Sequence, residues 1–240
     1  MSIRATVRTS PILVALALVA LLTSCTSDPS AVGRSAPSSS PVRASAGPPN
    51  GSPTGTPTPT TSPTAVRGIY VFPVASKSAR FGRAHHDYPA TDIFAPCGSA
   101  ARAAIAGVVT EVSRTDDWTV QENGGATRGG LSVSIVGMDG VRYYGSHLKS
   151  VVKSIVPGYR VSAGETLGLV GHTGSARPTP CHLHFGISPP CATGDWWNRR
   201  GVLSPYPFLT SWQGAGQRSP VQAVAAWKAA HGCPTKAPAG

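Results

Sequence analysis

The segment that decides the fold is residues 181–188, which read CHLHFGIS. Its alternating pattern, with Phe and Ile among the apolar residues, predicts a β-strand. Side chains two residues apart on a strand share one face. His182 and His184 are therefore expected to project together, and Leu183 and Phe185 to project into the core. Two imidazoles on one face indicate half of a metal site, although a polar strand face with two unrelated histidines has the same pattern.

Short strands separated by glycine-rich turns extend outward from this segment. Asp139-Gly140, between two of them, is a strong signal for a tight hairpin. Sustained helical periodicity is absent until residues 219–230, where one short helix is expected. The sequence therefore predicts a mainly β domain, built as an antiparallel roll or barrel-like sheet. The predicted strands cover residues 108–112, 131–136, 141–144, 166–170 and 182–187.

The amino terminus has the organisation of an export signal. Two arginines within residues 1–8 precede an apolar run over residues 12–22, which is shorter than the roughly 20 residues of a membrane span. The following Leu-Thr-Ser-Cys resembles a bacterial lipobox, which implies lipidation of Cys25. We expect a lipoprotein signal peptide over residues 1–24 and a lipid anchor that holds the protein on the outer face of the cytoplasmic membrane. A plain secretory signal with an incidental cysteine is the alternative.

Composition divides the remainder of the chain. Residues 25–66 are almost entirely Ser, Pro, Thr, Ala and Gly, which predicts a disordered tether after Cys25. The folded domain is expected over residues 67–213, and a tail with the short helix over residues 214–240. The formal charge of the 240 residues is +11. The basic residues are scattered without a nucleic-acid motif, so we expect attraction to the anionic cell envelope and no nucleic-acid partner.

A second group of polar residues lies upstream, in residues 83–96, which read RAHHDYPATDIFAP. Catalytic zinc sites usually have three protein ligands and leave a fourth position for water. One of His85 and His86, together with Asp92 and one histidine of the HLH segment, would supply such a set. His147, in YYGSHLKS, is expected to reach the reacting water without ligating the metal.

Four segments, in this order, carry a family resemblance: HHDYPATDIFAPCG, YYGSHL, VSAGETLGLVGHTG and CHLHFGI. Over residues 83–187 the sequence resembles the lysostaphin-type (LytM-like) peptidoglycan zinc metallopeptidases. The resemblance implies a zinc-dependent endopeptidase that cuts stem peptides or crosslinks of peptidoglycan with a metal-activated water and a histidine general base. It also implies that Asp92 and His184 ligate zinc, and that His182 and His147 are catalytic histidines outside the ligand set.

The upstream ligand is where the sequence departs from that family. The usual motif is His-x-x-x-Asp, but a tyrosine, Tyr88, stands four residues before Asp92. His86 is favoured as the ligand, through a two-residue insertion in the loop. His85 is the rival, because the six residues between it and Asp92 match the spacing in related carboxypeptidases and dipeptidases.

The four cysteines other than Cys25 predict two disulfides in an exported protein. Several connectivities are open, and Cys97–Cys191 is favoured among them. Ligation of zinc by the cysteines is disfavoured, because their spacing matches no common cysteine–zinc pattern. The four cysteines are Cys97, Cys181, Cys191 and Cys233.

Two other functions remain open. The first is a non-catalytic module of the same fold that binds peptidoglycan or activates another hydrolase, and the second is a structural envelope lipoprotein. Retention of all the required residue types favours catalysis. The segments expected to set specificity are residues 115–128 and the run DWWNRRG at residues 195–201. That run suits a groove for an acidic peptide or glycan, although its tryptophans also suit a core edge.

Overall fold

Residues 70–237 are described by the computed structural model of the protein. The predicted signal peptide, the lipidation of Cys25 and the linker to residue 66 fall outside these residues and stay predictions. Within the described range, the predicted domain boundary at residue 213 coincides with the end of a helix, Tyr206–Gln213.

Ten strands form one sheet in the described part of the chain, and each pairing between them is antiparallel. The longest strand pairs with three others and joins the two sides of the sheet. The predicted antiparallel, mainly β architecture is therefore confirmed. The strands are β1 (Val74–Ala75), β2 (Arg80–Phe81), β3 (Thr91–Phe94), β4 (Ala100–Arg102), β5 (Gly107–Ser113), β6 (Leu131–Gly137), β7 (Arg142–Val151), β8 (Arg160–Val161), β9 (Thr166–Val170) and β10 (His182–Ser188).

Alternation along β10 separates a core face from a polar face, as predicted. Leu183 and Phe185 are only 2% and 3% exposed and belong to the main apolar cluster. Removing side chains of this size from water contributes on the order of 1.5–3 kcal/mol each. His182 and His184 are also buried, so the polar face of β10 is covered by other parts of the domain. All five predicted strands are present, although β7 continues to Val151, well past its predicted end.

The Asp139-Gly140 turn joins β6 to β7, as predicted. Gly140 has a φ of 75°, a left-handed conformation that glycine adopts freely. The Asp139 carboxylate accepts three hydrogen bonds there. Its Oδ1 accepts the amide of Val141 at 3.1 Å, and its Oδ2 accepts the hydroxyls of Tyr70 at 2.9 Å and Tyr143 at 2.6 Å.

Three α-helices follow β10: α1 (Trp196–Arg199), α2 (Tyr206–Gln213) and α3 (Val221–His231). The predicted tail helix is confirmed as α3. The sequence pattern predicts neither α1 nor α2, because a helix of one or two turns has too few residues to show a period of 3.6. Within residues 70–237, the helices are too short or too polar to cross a membrane.

Two disulfides are present within residues 70–237, but the favoured Cys97–Cys191 pairing is wrong. Cys97 bonds Cys181, with their Cα atoms 5.2 Å apart, and Cys191 bonds Cys233, with their Cα atoms 5.7 Å apart. The cause is strand register. His182 pairs with Phe94, so the end of β3 lies beside the start of β10, whereas Cys191 follows the opposite end of β10. One disulfide thus ties together β3 and β10, and the other ties the chain after β10 to the tail.

Candidate metal centre

The pairing of β3 with β10 sets Asp92 directly opposite His184. The Oδ1 atom of Asp92 lies 3.0 Å from Nδ1 of His184. His85 approaches from the loop before β3, with its Nε2 3.9 Å from Oδ2 of Asp92. One nitrogen or oxygen atom from each of these three residues lies within 4.8 Å of the other two. The three side chains therefore form a compact group of the kind that holds one metal ion.

The structure brings His85, not His86, to this cluster. The His85 side chain is 10% exposed and its ring packs edge-on against His184, with the centroids 5.1 Å apart. The His86 side chain is 74% exposed, and its Nε2 lies 3.5 Å from Oδ2 of Asp87. His85, His86 and Asp87 also form a compact group, but two of its members face solvent. The structure therefore places His85, rather than the favoured His86, beside Asp92 and His184.

Hydrogen bonding fixes which nitrogen of His184 carries a proton. Nε2 lies 2.9 Å from the carbonyl oxygen of Arg200, and a carbonyl oxygen can only accept, so Nε2 donates. In the neutral ring, Nδ1 then presents a lone pair to the carboxylate of Asp92 at 3.0 Å. Two acceptors at that distance repel each other unless a cation or a second proton lies between them. The contact therefore requires either a doubly protonated His184 or a cation bound between the two groups.

His182 and His147 are oriented in the same way. Nδ1 of His182 lies 2.9 Å from the carbonyl oxygen of Pro180, and Nδ1 of His147 lies 2.8 Å from that of Thr173. Each Nδ1 therefore donates, and each Nε2 is left with its lone pair. The Nε2 atom of His182 is 3.9 Å from Oδ1 of Asp92. Three imidazoles thus use backbone carbonyls to direct lone pairs into one cleft.

His147 adopts an unusual backbone conformation to reach this position. Its φ is 64°, in the left-handed region that costs a non-glycine residue on the order of 1 kcal/mol or more. Its amide donates to the carbonyl of Gly129 at 2.9 Å, which holds this part of β7 in place. Backbone strain of this kind is concentrated at functional sites, because it aims a side chain that regular strand geometry would direct elsewhere.

Burial controls the protonation of the cluster. Burial lowers the pKa of His147 to about 3 and that of His85 to about 4, and the neighbouring His184 lowers both further. Both rings are therefore neutral at pH 7 and keep their lone pairs. Burial alone would raise the pKa of Asp92, but the hydrogen bond and charge of His184 outweigh it and the pKa is about 2. At neutral pH the cluster thus contains an ionised Asp92 beside the neutral rings of His85 and His147.

Buried ion pairs behind the cleft support the short helix α1. Arg142, which is 2% exposed, donates to both carboxylate oxygens of Asp195 at 2.6 and 3.1 Å. Arg199 pairs with Glu111. Such paired, buried charges hold their elements in one geometry, because breaking either pair would leave a charge buried alone. They fix α1, and with it the Arg200 carbonyl that sets the proton of His184.

The rim of the cleft contains residues from both segments expected to set specificity. Arg128, Trp196 and Arg200 line it together with Tyr88 and Tyr144. The sequence alone does not identify Tyr88 or Tyr144 as residues of the site, because aromatic residues in a β domain most often belong to the core. His172 is exposed and does not line the cleft, and its Nδ1 lies 3.1 Å from the carbonyl oxygen of Arg177.

Comparison with known proteins gives a match over the part of the chain that holds most of this cluster. The profile of the protein family described as Peptidase family M23 matches residues 86–195. The L-Ala–D-Glu endopeptidase of Bacillus subtilis (strain 168) is 29% identical over 137 residues, which are 55% of this chain. The chain spans 36% of the length of that relative.

Solved structures with a similar chain trace include two peptidases. The catalytic domain of the antimicrobial peptidase lysostaphin from Staphylococcus simulans has a TM-score of 0.41 and 23% identity, and the match covers 55% of this chain and 89% of that one. A zinc-containing peptidase from Vibrio cholerae has a TM-score of 0.38 and 22% identity, with coverages of 50% and 36%.

Proposed function

Residues 86–195 form a Peptidase family M23 domain, and on that premise we propose that the protein is a zinc-dependent endopeptidase that hydrolyses peptide bonds of peptidoglycan. One observation carries the proposal. His85, Asp92 and His184 each offer one ligand atom within 4.8 Å of the other two, and a divalent cation between them would take the place of a second proton at the 3.0 Å contact of His184 Nδ1 with Asp92. The Bacillus subtilis relative, named as an L-Ala–D-Glu endopeptidase, supports peptidoglycan peptides as the substrate.

The donor set fits zinc. Two neutral imidazoles and one carboxylate are a ligand set of catalytic zinc sites, which leave a further position for water or substrate. We assign His85, Asp92 and His184 as the ligands. The carbonyl of Arg200 orients His184 by accepting its second N–H at 2.9 Å, the outer-shell interaction that ligating histidines usually have. Zinc held there supplies Lewis acidity to a substrate carbonyl and activates water at neutral pH.

His182 and His147 act on the attacking water in this proposal. Nε2 of His182 has a lone pair in the cleft and is the general base, which takes a proton from the attacking water and then protonates the leaving amine. Nε2 of His147 has the same freedom on the other side of the cluster, and the two rings are 5.0 Å apart. With this lone pair, His147 accepts a hydrogen bond from the attacking water and orients it. Burial of both rings excludes bulk water that would compete for these protons.

The place of action follows from the sequence. A lipid on Cys25 would hold the protein outside the cytoplasmic membrane, and the linker to residue 66 would let the domain reach the wall. About 40 residues in a largely extended, proline-rich conformation span on the order of 100 Å. A Cys25→Ala variant is then expected to leave the membrane fraction.

The test compares zinc content with hydrolysis of purified peptidoglycan. We expect one zinc per chain in the wild type, and the same content in His182→Ala and His147→Ala, because neither ring is in the ligand set. Both variants should lose about 100- to 10,000-fold in the release of new amino termini. His231→Ala, an exposed histidine at the end of α3, is the matched control and should retain full activity.

Two results would replace the proposal. Full turnover by His182→Ala would remove the general base assigned here. A wild-type protein that binds zinc and peptidoglycan without cutting it would be a binding or activating module of the same fold, the second candidate function.

A further inference from the structure

Two adjacent arginines at the end of α1 have different surroundings. The guanidinium of Arg199 pairs with Glu111 and lies 5.0 Å from the ring of Tyr144. The guanidinium of Arg200 has neither an ion pair nor a hydrogen bond with any residue between 70 and 237, and its Nε is buried without a partner. A buried or half-buried arginine is ordinarily paired. Arg200 therefore has a positive charge that forms no direct ion pair with a carboxylate of the described residues.

Aromatic rings hold Arg200 in place. Its Cζ atom lies 3.9 Å from the ring centre of Tyr88 and 5.1 Å from that of Trp196. Stacking on the ring faces fixes the plane of a guanidinium and leaves its edge donors available, which suits bidentate binding of a carboxylate. The group is preorganised, so little rotamer entropy would be lost on binding.

Arg128, in the loop that faces Arg200, adds a second positive charge to the cleft. Arg128 is exposed, lines the same cleft, and forms no ion pair within the described residues. Burial lowers the pKa of Arg200, the phenol of Tyr88 opposes this, the positive charge of Arg128 lowers it again, and the carboxylate of Asp87 raises it. The acidic residues in the cleft are Asp92, in the metal cluster, and Asp87, beside His86. An anion between Arg128 and Arg200 would relieve their repulsion.

The distance to the metal cluster is short. The ring of Tyr88, on which Arg200 stacks, lies 5.7 Å from the ring of His184. An extended peptide advances about 3.3–3.6 Å per residue. A group held by Arg200 would therefore belong to a residue within about three positions of a bond cut at the cluster.

We propose that Arg200, assisted by Arg128, is a carboxylate-binding subsite that selects peptides with a free carboxylate within about three residues of the scissile bond. The inference rests on the proposed function and adds to it the chemical class of the substrate. Arg200 binds the carboxylate through its edge donors, and Arg128 contributes charge from the facing loop. Neither residue takes part in proton transfer.

Binding measurements on the full chain test the subsite independently of catalysis. The probes are the tetrapeptide acetyl-Ala–D-Glu–Lys–D-Ala amide, whose one carboxylate belongs to D-Glu, and the same peptide with D-Gln. His182→Ala serves as the host, so that neither peptide is consumed during calorimetry. We expect the acid to bind about 10- to 100-fold more tightly than the amide, the usual range for a charge-assisted pair. Arg200→Gln in this host should abolish that ratio.

Graded variants separate charge from geometry. Arg200→Lys should retain only part of the discrimination, because an ammonium lacks the planar fork, and Arg128→Gln should reduce it severalfold. Arg160→Gln, at an exposed arginine of β8 outside the cleft, is the control and should leave the ratio unchanged. Equal binding of acid and amide by the host, or a ratio that survives Arg200→Gln, would overturn the subsite. Either result would leave zinc binding and hydrolysis by the wild type, and so the proposed function, intact.

Discussion

Asp92 and Asp139 occupy opposite chemical surroundings in the same sheet. Asp139, in the β6–β7 turn, accepts hydrogen bonds from two tyrosine hydroxyls and one backbone amide. Asp92, on β3, lies beside Nδ1 of His184 and Nε2 of His182, and each of these rings already donates a proton to a backbone carbonyl through its other nitrogen. Asp139 is surrounded by donors, whereas two of the rings beside Asp92 present lone pairs to it when they are neutral.

The difference distinguishes a structural carboxylate from a functional one. A carboxylate with enough donors is satisfied by the fold and stabilises it. A buried carboxylate that faces lone pairs destabilises the folded protein until a cation binds. This destabilisation is the reason to assign Asp92 to a metal site. Burial does not distinguish the two carboxylates, since both contact buried rings. They are distinguished by whether the neighbouring groups point a proton or a lone pair at them.

The largest expected effect concerns the metal side of this comparison. His85→Ala should lower zinc affinity by more than about 100-fold, beyond the usual effect of changing an outer-shell partner, and hydrolysis should fall with it. His86→Ala is the matched control one residue away, and we expect less than a twofold change because the ring faces solvent. Zinc titration with a competing chelator measures both. Loss of zinc in the His86 variant alone would restore the family-based preference for His86.

The same chemical change at both aspartates should act in opposite directions in the zinc-free protein. Asp139→Asn should lower the free energy of unfolding by about 2 kcal/mol, since an amide cannot accept all three hydrogen bonds and its NH2 group would face a donor. Asp92→Asn should leave it unchanged or raise it, because its NH2 group donates to the lone pair of His184. Urea denaturation at pH 8 in the presence of chelator measures both.

Zinc binding gives the complementary result for that pair. Asp139→Asn should retain zinc, and Asp92→Asn should lose most of it. Equal destabilisation by the two variants would mean that His184 is doubly protonated and that the Asp92 cluster is an ion pair complete without metal.

Regular strands made part of the site predictable. Because side chains alternate along β10, the shared face of His182 and His184 follows from the sequence alone, and the Asp139-Gly140 turn fixes the hairpin beside it. Asp92 pairs with His184 through antiparallel register, which a recognisable strand around Asp92 makes accessible. The resemblance to a known family added the order of the segments.

The errors lie where no periodicity operates. The choice between His85 and His86 depends on a loop closed by the hydrogen bond from the His85 amide to the Ala90 carbonyl, and no local pattern encodes that closure. The disulfide partners depend on which strand ends are adjacent in the sheet. The stacking of Arg200 on Tyr88 joins residues more than a hundred positions apart, so composition indicates a basic rim without indicating which arginine is unpaired.

As the pH falls, the region around Asp92 should be destabilised before the β6–β7 turn is. Burial holds the pKa of His147 at about 3, below the usual value near 6.5. Between these two pH values the ring is protonated in the unfolded chain and neutral in the folded one. Stability is therefore lost as the pH falls below 6.5, by about 1.4 kcal/mol for this one group at pH 5.5. His147→Asn, which tolerates a positive φ, should lose less. Chelator-treated protein and urea midpoints from pH 7.5 to 5.5 test it, and parallel pH curves for the two proteins would contradict it.

Alkali should act on the turn, where ionisation of Tyr70 is expected to have the smallest effect. Burial raises the pKa of Tyr70 to about 12, the hydrogen bond with Ser219 opposes this, and the charge of Asp139 raises it further. A group whose pKa is raised on folding contributes stability below its unfolded value near 10, and loses it as the pH rises toward 12. At pH 10.5 the loss from this one group should stay below about 1 kcal/mol. Tyr70→Phe should be less stable at pH 8 but lose less between pH 8 and 10.5. A fall as steep as that of the wild type would show that the donors around Asp139 are not what holds the turn, and the contrast with Asp92 would then rest on the metal side alone.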